Sequence, residues 1–162
     1  MLVLGIDPGT ATTGYGLVRE TETGPALVAY GTIQTPAGAP MPDRLRTIYQ
    51  ELKELIALHG PDTAAVEKLF FQRNVSTAMS VGQARGVALL ALAEAGVSVG
   101  EYTPRDVKLA VAGYGGADKP QVQQMVRAIL DLPEVPRPDD AADALAVAIC
   151  HLHSMRMKAL TG

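Results

Sequence analysis

The sequence contains almost no cysteine and very few aromatic residues. Cys150 is the only cysteine, so the chain has no internal disulfide framework and no metal site built from several thiolates. We interpret Cys150 as a small buried apolar residue. Tryptophan is absent, and Phe70 and Phe71 are the only phenylalanines. Either phenylalanine fills core volume or offers a stacking surface to an unpaired base.

Long apolar runs and a targeting segment are also lacking. Residues 2–6 form a short apolar run without the basic lead of a secretory signal, and Asp7 and Pro8 follow at once. The most apolar stretch, residues 87–93, is shorter than a membrane span and ends at Glu94. We therefore expect a cytoplasmic protein with no membrane partner. A chain of 162 residues that is 48% hydrophobic predicts one domain over residues 1–162.

A strong positive charge, the usual footprint of nucleic-acid binding, is missing as well. The formal net charge is -3 and the sequence pI is about 5.6. The charges are unevenly distributed, however. Residues 1–67 carry four Lys or Arg against eight Asp or Glu, whereas residues 68–137 carry eight against six. A weak basic bias thus begins after Glu67.

The order of apolar patterns predicts an α/β fold. Strand-like runs lie at residues 2–6, 15–18 and 27–33, and helical spacing then runs from Asp43 to a stop at residues 59–61. A strand at 63–66, a helix at 76–95 and a strand at 97–102 follow. Three helices are expected at 104–112, 119–130 and 139–157. This order is that of the ribonuclease-H-like fold, with a five-stranded mixed sheet flanked by helices.

Four carboxylates occupy the ends of these elements. Asp7 and Glu67 each end a predicted strand, and Asp140 and Asp143 lie three apart at the start of the last helix, on one face. Each has an ordinary structural explanation: a turn residue, a strand-end charge, or acids that suit a helix dipole. Together they are more informative, because the predicted fold brings the first strand, the fourth strand and the last helix together.

A cluster of carboxylates predicts a divalent cation. Two carboxylates ~4 Å apart repel by about 4 kcal/mol at an effective dielectric of ~20, so a cation is the natural counter-charge. Ligands that are all oxygen favour Mg²⁺, with Mn²⁺ as a substitute, and two such ions support hydrolysis of a phosphodiester. His59, His151 and His153 are interpreted as structural, since the last two do not share a helix face.

Several ordered motifs resemble the RuvC family of bacterial Holliday-junction resolvases nearly end to end. They are the segments Gly-Ile-Asp-Pro-Gly-Thr at 5–10, Val-Glu at 66–67, Gly-Gln-Ala-Arg-Gly at 82–86 and Asp-Ala-Ala-Asp-Ala-Leu at 140–145. The resemblance implies a homodimer that binds four-way DNA junctions, nicks two strands of like polarity at symmetric points in recombination and repair, and works with RuvA and RuvB.

The same resemblance assigns roles to individual residues. It makes Asp7, Glu67, Asp140 and Asp143 the catalytic, metal-binding acids, and the Asp-Ala-Ala-Asp spacing selects Asp140 over the adjacent Asp139. It implies DNA contacts for two lysines near the scissile phosphate and for an aromatic that stacks on a base beside basic residues. These DNA-binding positions are Lys108, Lys119, Phe70 and Arg73.

Two other classes of protein share part of this pattern. An ATP-binding module of the actin and sugar-kinase type has a similar opening strand and Gly-rich turn, but such proteins need a second lobe and a second phosphate loop. A catalytically silent junction-binding scaffold would keep Phe70 and the lysines but lose an acid. No acid of the set is missing here, which favours the nuclease.

Overall fold

The structure is a computed structural model that describes residues 1–68 and 74–162. Its strands are β1 (Leu2–Asp7), β2 (Thr12–Thr21), β3 (Gly24–Gln34), β4 (Thr63–Glu67) and β5 (Ser98–Tyr102). Its helices are α1 (Met41–His59), α2 (Val75–Glu94), α3 (Pro104–Ala112), α4 (Lys119–Ile129) and α5 (Asp139–Thr161). Every predicted element is present, in the predicted order.

The five strands form one mixed sheet in the order β3-β2-β1-β4-β5. β1, β2 and β3 pair antiparallel, whereas β4 pairs parallel with both β1 and β5. The predicted class, a five-stranded mixed sheet flanked by helices, is confirmed. This order places β1 and β4 next to each other in the middle of the sheet, with their carboxyl ends side by side.

Strand β3 is longer than the sequence predicted. The predicted strand covers residues 27–33, yet β3 begins at Gly24, and both Gly24 and Pro25 pair with the end of β2. Pro25 has no N–H to donate, but β3 is an edge strand, where a missing donor costs no ladder hydrogen bond. A register shift opposite Leu17 and Val18 marks a bulge in the same pair.

Helices cover both faces of the sheet. α1 and α2 pack on one face, where Leu4 and Ile6 of β1 join Ile48 and Leu52 of α1 in a buried cluster. α3, α4 and α5 pack on the other face, around Val3 of β1. The alternation along β1 follows from the two-residue period of a strand. Burial of each large apolar side chain contributes about 1.5–3 kcal/mol.

α5 lies unusually close to the sheet because glycines face it. A Cβ built at Gly5 of β1 would lie 2.0 Å from the backbone oxygen of Ala144, and one at Gly14 of β2 would lie 2.0 Å from that of Asp140. Any side chain at these positions would push the helix away. The glycines therefore set the distance between the first two turns of α5 and the ends of β1 and β2.

Two residues that the sequence analysis interpreted as structural are buried in α5. His151 bridges three elements: its Nε2 lies 2.9 Å from Oγ1 of Thr63, and its Nδ1 lies 2.7 Å from the hydroxyl of Tyr102. Cys150 is buried, and burial raises the pKa of its thiol to about 12. His153 is exposed, so it does not share a face with His151.

α2 departs from the expectation that no segment reaches the length of a membrane span. It is 20 residues long, and by length and composition alone it could cross a membrane. Residues 87–93 are only the most apolar part of this helix, and small and weakly polar residues extend its apolar character toward Val75. One face of α2 packs into the protein core through Ala84, Ala88, Ala91 and Leu92.

Candidate active site

Asp7 and Glu67 lie side by side at the carboxyl ends of two parallel strands. β1 and β4 pair in register at Ile6 and Val66, so the next residue of each strand is a carboxylate. Ile6 and Val66 belong to the cluster under α1 and α2. Because strand side chains alternate, both carboxylates fall on the opposite face, toward α5.

The first turns of α5 bring two further acids to the same place. Gly14 pairs with Asp7 across the β1–β2 ladder, and the helix backbone at Asp140 lies directly over Gly14. Asp143 follows one turn later on the same side of the helix. The approach of α5 at Gly14 thus brings Asp140 and Asp143 toward Asp7.

The pKa of Asp7 reflects the close approach of these acids. Its pKa is raised to about 8, first by burial and then by the charges of Asp143, Asp140 and Glu67, while Lys119 acts in the opposite direction. Burial also raises the pKa of Glu67, with Asp143 adding to the effect. Four carboxylates from three elements therefore repel one another, and Asp7 is mostly protonated at neutral pH when no cation is present.

A cleft of about 270 Å³ opens beside these acids, with two lysines in its wall. Glu67, Asp143, Lys108 and Lys119 all line it. Nζ of Lys119 lies 3.3 Å from Oδ2 of Asp143, and the charges of Lys108 and Lys119 lower the pKa of Glu67 against the effect of burial. The cleft thus combines acids with cations that suit a phosphate.

Asp139 takes a different position from Asp140. Its Oδ2 lies 3.6 Å from Nζ of Lys119, and its Oδ1 accepts a hydrogen bond of 3.1 Å from Nε2 of Gln123. Its charge raises the pKa of Asp143, whereas the charge of Asp140 raises the pKa of both Asp7 and Asp143. The selection of Asp140 over Asp139 by spacing stays a prediction.

The sequence matches one known protein family over residues 3–151, the family described as crossover junction endodeoxyribonuclease RuvC. The chain belongs to the RuvC family. It is 62% identical over 154 residues to the RuvC of Chloroflexus aggregans, covering 95% of this chain and 94% of that one. It is 59% identical to the RuvC of Syntrophomonas wolfei, covering 97% and 91%.

A solved structure of a RuvC protein has the same fold. It is the Thermus thermophilus RuvC in complex with Holliday junction substrate, with a TM-score of 0.92 and 41% identity over 98% of this chain and 96% of that chain. The predicted ribonuclease-H-like class and the resemblance to RuvC are both confirmed. The protein is therefore an endodeoxyribonuclease of a metal-dependent nuclease family.

The acids fit the chemistry of a hard divalent cation. Carboxylate oxygen is the preferred ligand of such ions, and a cation would relieve the repulsion that raises the pKa of Asp7. Within residues 1–68 and 74–162, no three Asp, Glu, His or Cys side chains are grouped closely enough to hold one ion as they stand. The four carboxylates face the same site, but their oxygens are too far apart to hold one ion together, and Lys119 contacts an oxygen of Asp143.

Two residues predicted to bind DNA, Phe70 and Arg73, lie outside the described residues. Two positions that shape the site were not predicted. Gly14 stands in a strand with no motif to mark it, and only its contact with α5 shows why it is glycine. Gln123 is one of several polar residues on α4, and its contact with Asp139 joins residues 16 apart in the chain.

Proposed function

We propose that this protein cleaves four-way DNA junctions at two symmetric points, with Asp7, Glu67, Asp140 and Asp143 as the catalytic acids. The observation that carries this proposal is the convergence of the ends of β1 and β4 with the start of α5, where burial and the other three acids raise the pKa of Asp7 to about 8. Such a concentration of negative charge is costly for folding, and it is typical of sites that exchange the repulsion for a bound cation.

The proposed cofactor is Mg²⁺, for which Mn²⁺ would substitute, with two ions held by the four acids. When bound, such ions activate a water molecule and stabilise the leaving oxygen of a phosphodiester. The fold fixes the positions of these acids. The pairing of β1 with β4 places Asp7 beside Glu67, and the packing of α5 against Gly14 positions Asp140. Burial around Asp7 limits access of bulk water.

Two of the proposed DNA contacts are the lysines of the cleft. Lys108 and Lys119 line it together with Glu67 and would hold the scissile phosphate near the acids. Phe70, which follows β4 in the sequence, would stack on an unpaired base beside the cut, and Arg73 would bind the DNA backbone. The two lysines of the cleft provide a local positive charge in a protein whose net charge is -3.

A homodimer is proposed from the exposed face of α2. At 100° per residue, Val75, Met79, Gly86, Leu90 and Ala93 fall within a sector of about 60°. All five are exposed, with exposed fractions of 70% for Val75, 63% for Met79 and 53% for Leu90. An apolar stripe of this length on a helix calls for a partner, and two scissile strands call for two equivalent sites.

Leu90→Glu tests the dimer directly. A charge in the middle of the stripe should convert the dimer to a monomer in sedimentation experiments and should remove paired nicking. Leu160→Glu makes the same change at an exposed position near the end of α5, with an exposed fraction of 77%, and should leave the dimer intact. A wild-type protein that is monomeric at micromolar concentration and still makes paired nicks would contradict the proposal.

The remaining proposals follow from membership of the RuvC family. We expect the protein to work in the cytoplasm as a single domain, in recombination and repair, with RuvA and RuvB as partners. All described helices pack on one sheet, which supports the single domain. Pull-down of RuvA and RuvB on a four-way junction, compared with junction alone, tests the partnership.

The function is tested with an immobile four-way junction and a linear duplex of matched sequence. Symmetric nicks in the junction alone, with Mg²⁺ and not with EDTA, are expected. Asp7→Asn, Glu67→Gln and Asp140→Asn should each lower single-turnover cleavage by orders of magnitude, while gel-shift affinity stays equal or rises because the phosphates meet one fewer negative charge.

Glu51→Gln is the matched control, since it removes the same charge from an exposed position on α1, across the sheet from the acids. It should cleave like the wild type. Cleavage that continues in EDTA, or near-normal nicking by all three variants at Asp7, Glu67 and Asp140, would overturn the proposed mechanism.

A further inference from the structure

The helix N-cap fixes the backbone of Lys119, whereas its side chain is positioned only by contacts with other side chains. Lys119 is the first residue of α4, after an N-cap in which Asp118 accepts a hydrogen bond from the backbone of Gln121 and the Gln121 side chain accepts one from the backbone of Asp118. This capping box fixes the start of the helix. It leaves the four side-chain torsions of Lys119 free, and ordering them costs entropy.

Asp143 alone is a weak anchor for that side chain. The two groups are 3.3 Å apart, and 52% of the Lys119 side chain is exposed, so solvent screens the pair. Asp143 also belongs to the carboxylate cluster around Asp7, so its oxygens have a competing use.

Asp139 supplies a second anchor, and it is itself braced. One carboxylate oxygen faces Nζ of Lys119 at 3.6 Å, in a pair that is longer and more exposed than the pair with Asp143, but the other oxygen accepts a hydrogen bond from Gln123 that holds the carboxylate in place. Lys119 and Gln123 lie four residues apart on α4 and therefore share a face. Asp139 thus spans one turn of α4 with both oxygens, and its charge also raises the pKa of Asp143.

We infer that Asp139, braced by Gln123, is a positioning residue that holds the Lys119 ammonium at the mouth of the cleft while Asp143 serves the carboxylate cluster. The inference rests on the proposed role of Lys119 at the scissile phosphate. It assigns different work to two adjacent acids: Asp140 belongs to the cluster, and Asp139 acts through the lysine.

Asp139→Asn removes the charge that faces Lys119 and keeps the side-chain shape. Single-turnover cleavage at saturating junction should fall about fivefold, in proportion to the loss of one exposed ion pair, with affinity equal or slightly tighter. Gln123→Ala leaves the charge but removes its brace, and it should lower cleavage about twofold. Glu51→Gln controls for the change in net charge and should have no effect.

A double-mutant cycle separates positioning from general damage to the site. If Asp139 acts through Lys119, Asp139→Asn should cost nothing further in a Lys119→Ala background. An independent readout is the NMR order parameter of the Lys119 Cε methylene in metal-free protein, which should fall in Asp139→Asn and not in Glu51→Gln.

Three results would overturn the inference. An unchanged order parameter would show that Asp139 does not hold the lysine. An equal loss of cleavage with and without Lys119, or faster cleavage by Asp139→Asn, would show that Asp139 acts by another route. Normal cleavage by Lys119→Ala, with the order parameter still lowered in Asp139→Asn, would instead remove the proposed role of Lys119 while the brace itself stands.

Discussion

Replacing Asp7 with asparagine should stabilise the metal-free protein. The pKa of Asp7 is about 8 in the folded protein, against an ordinary value of 3.8. A raised pKa means that the folded state binds a proton that the unfolded state releases. The resulting contribution to stability is fully present below about pH 4 and is lost as pH rises toward 8. Asparagine carries no such proton and removes this dependence.

The size of the effect follows from the shift. At pH 7 the unfolded chain is more than three pH units above its Asp pKa, so at 1.36 kcal/mol per unit the loss approaches about 4 kcal/mol. Burying an amide in place of a protonated carboxyl offsets part of the gain. We therefore expect Asp7→Asn to be more stable by about 1–3 kcal/mol in EDTA at pH 7, a rise of roughly 5 °C in Tm.

The assay is thermal unfolding in EDTA and in Mg²⁺, from pH 4 to 8. The difference between Asp7→Asn and wild type should be small near pH 4 and should grow toward pH 8, while Glu51→Gln follows the wild type throughout. Mg²⁺ should raise the Tm of the wild type more than that of Asp7→Asn, because the variant has lost a ligand charge. A variant that is no more stable than wild type at pH 7.5 in EDTA, or a difference independent of pH, would refute the reasoning.

Three further predictions concern other parts of the molecule. Gly14→Ala should lower both stability and cleavage, because its Cβ would lie 2.0 Å from a backbone oxygen of α5. Gly38→Ala is the control, since the space around its Cβ is open, and it should change neither. Equal urea midpoints for the two variants would contradict this prediction. Burial lowers the pKa of His151 below its ordinary 6.5, so its contribution to stability is fully present above about pH 6.5 and is lost as pH falls from there through the lower pKa of the folded state. His151→Gln should flatten that part of the stability curve, and an unaltered curve would exclude the histidine as its source. Phe70→Ala should impair cleavage more than junction affinity, since stacking is worth roughly 1–3 kcal/mol per base; a large fall in Tm with normal cleavage per folded molecule would instead place this side chain in the core.

Much of the fold and the candidate acids could be predicted because the signals are local. A period of two or of 3.6 residues is set by neighbours in the chain, so all ten elements could be recognised from apolar spacing and from Gly, Pro and Asp at their ends. Asp7 and Glu67 were marked by their places at strand ends. β3 was drawn too short at Pro25, because nothing local says that a strand will lie at the edge of a sheet, where a missing N–H is tolerated.

What only the tertiary structure decided depends on contacts between residues far apart in sequence. Adjacent acids such as Asp139 and Asp140 have the same residue type and almost the same neighbours, and only the packing of α4 and of β2 against α5 gives them different surroundings. The pKa of Asp7 is likewise a property of three elements that converge, since burial and Coulomb repulsion depend on distance in space and not along the chain.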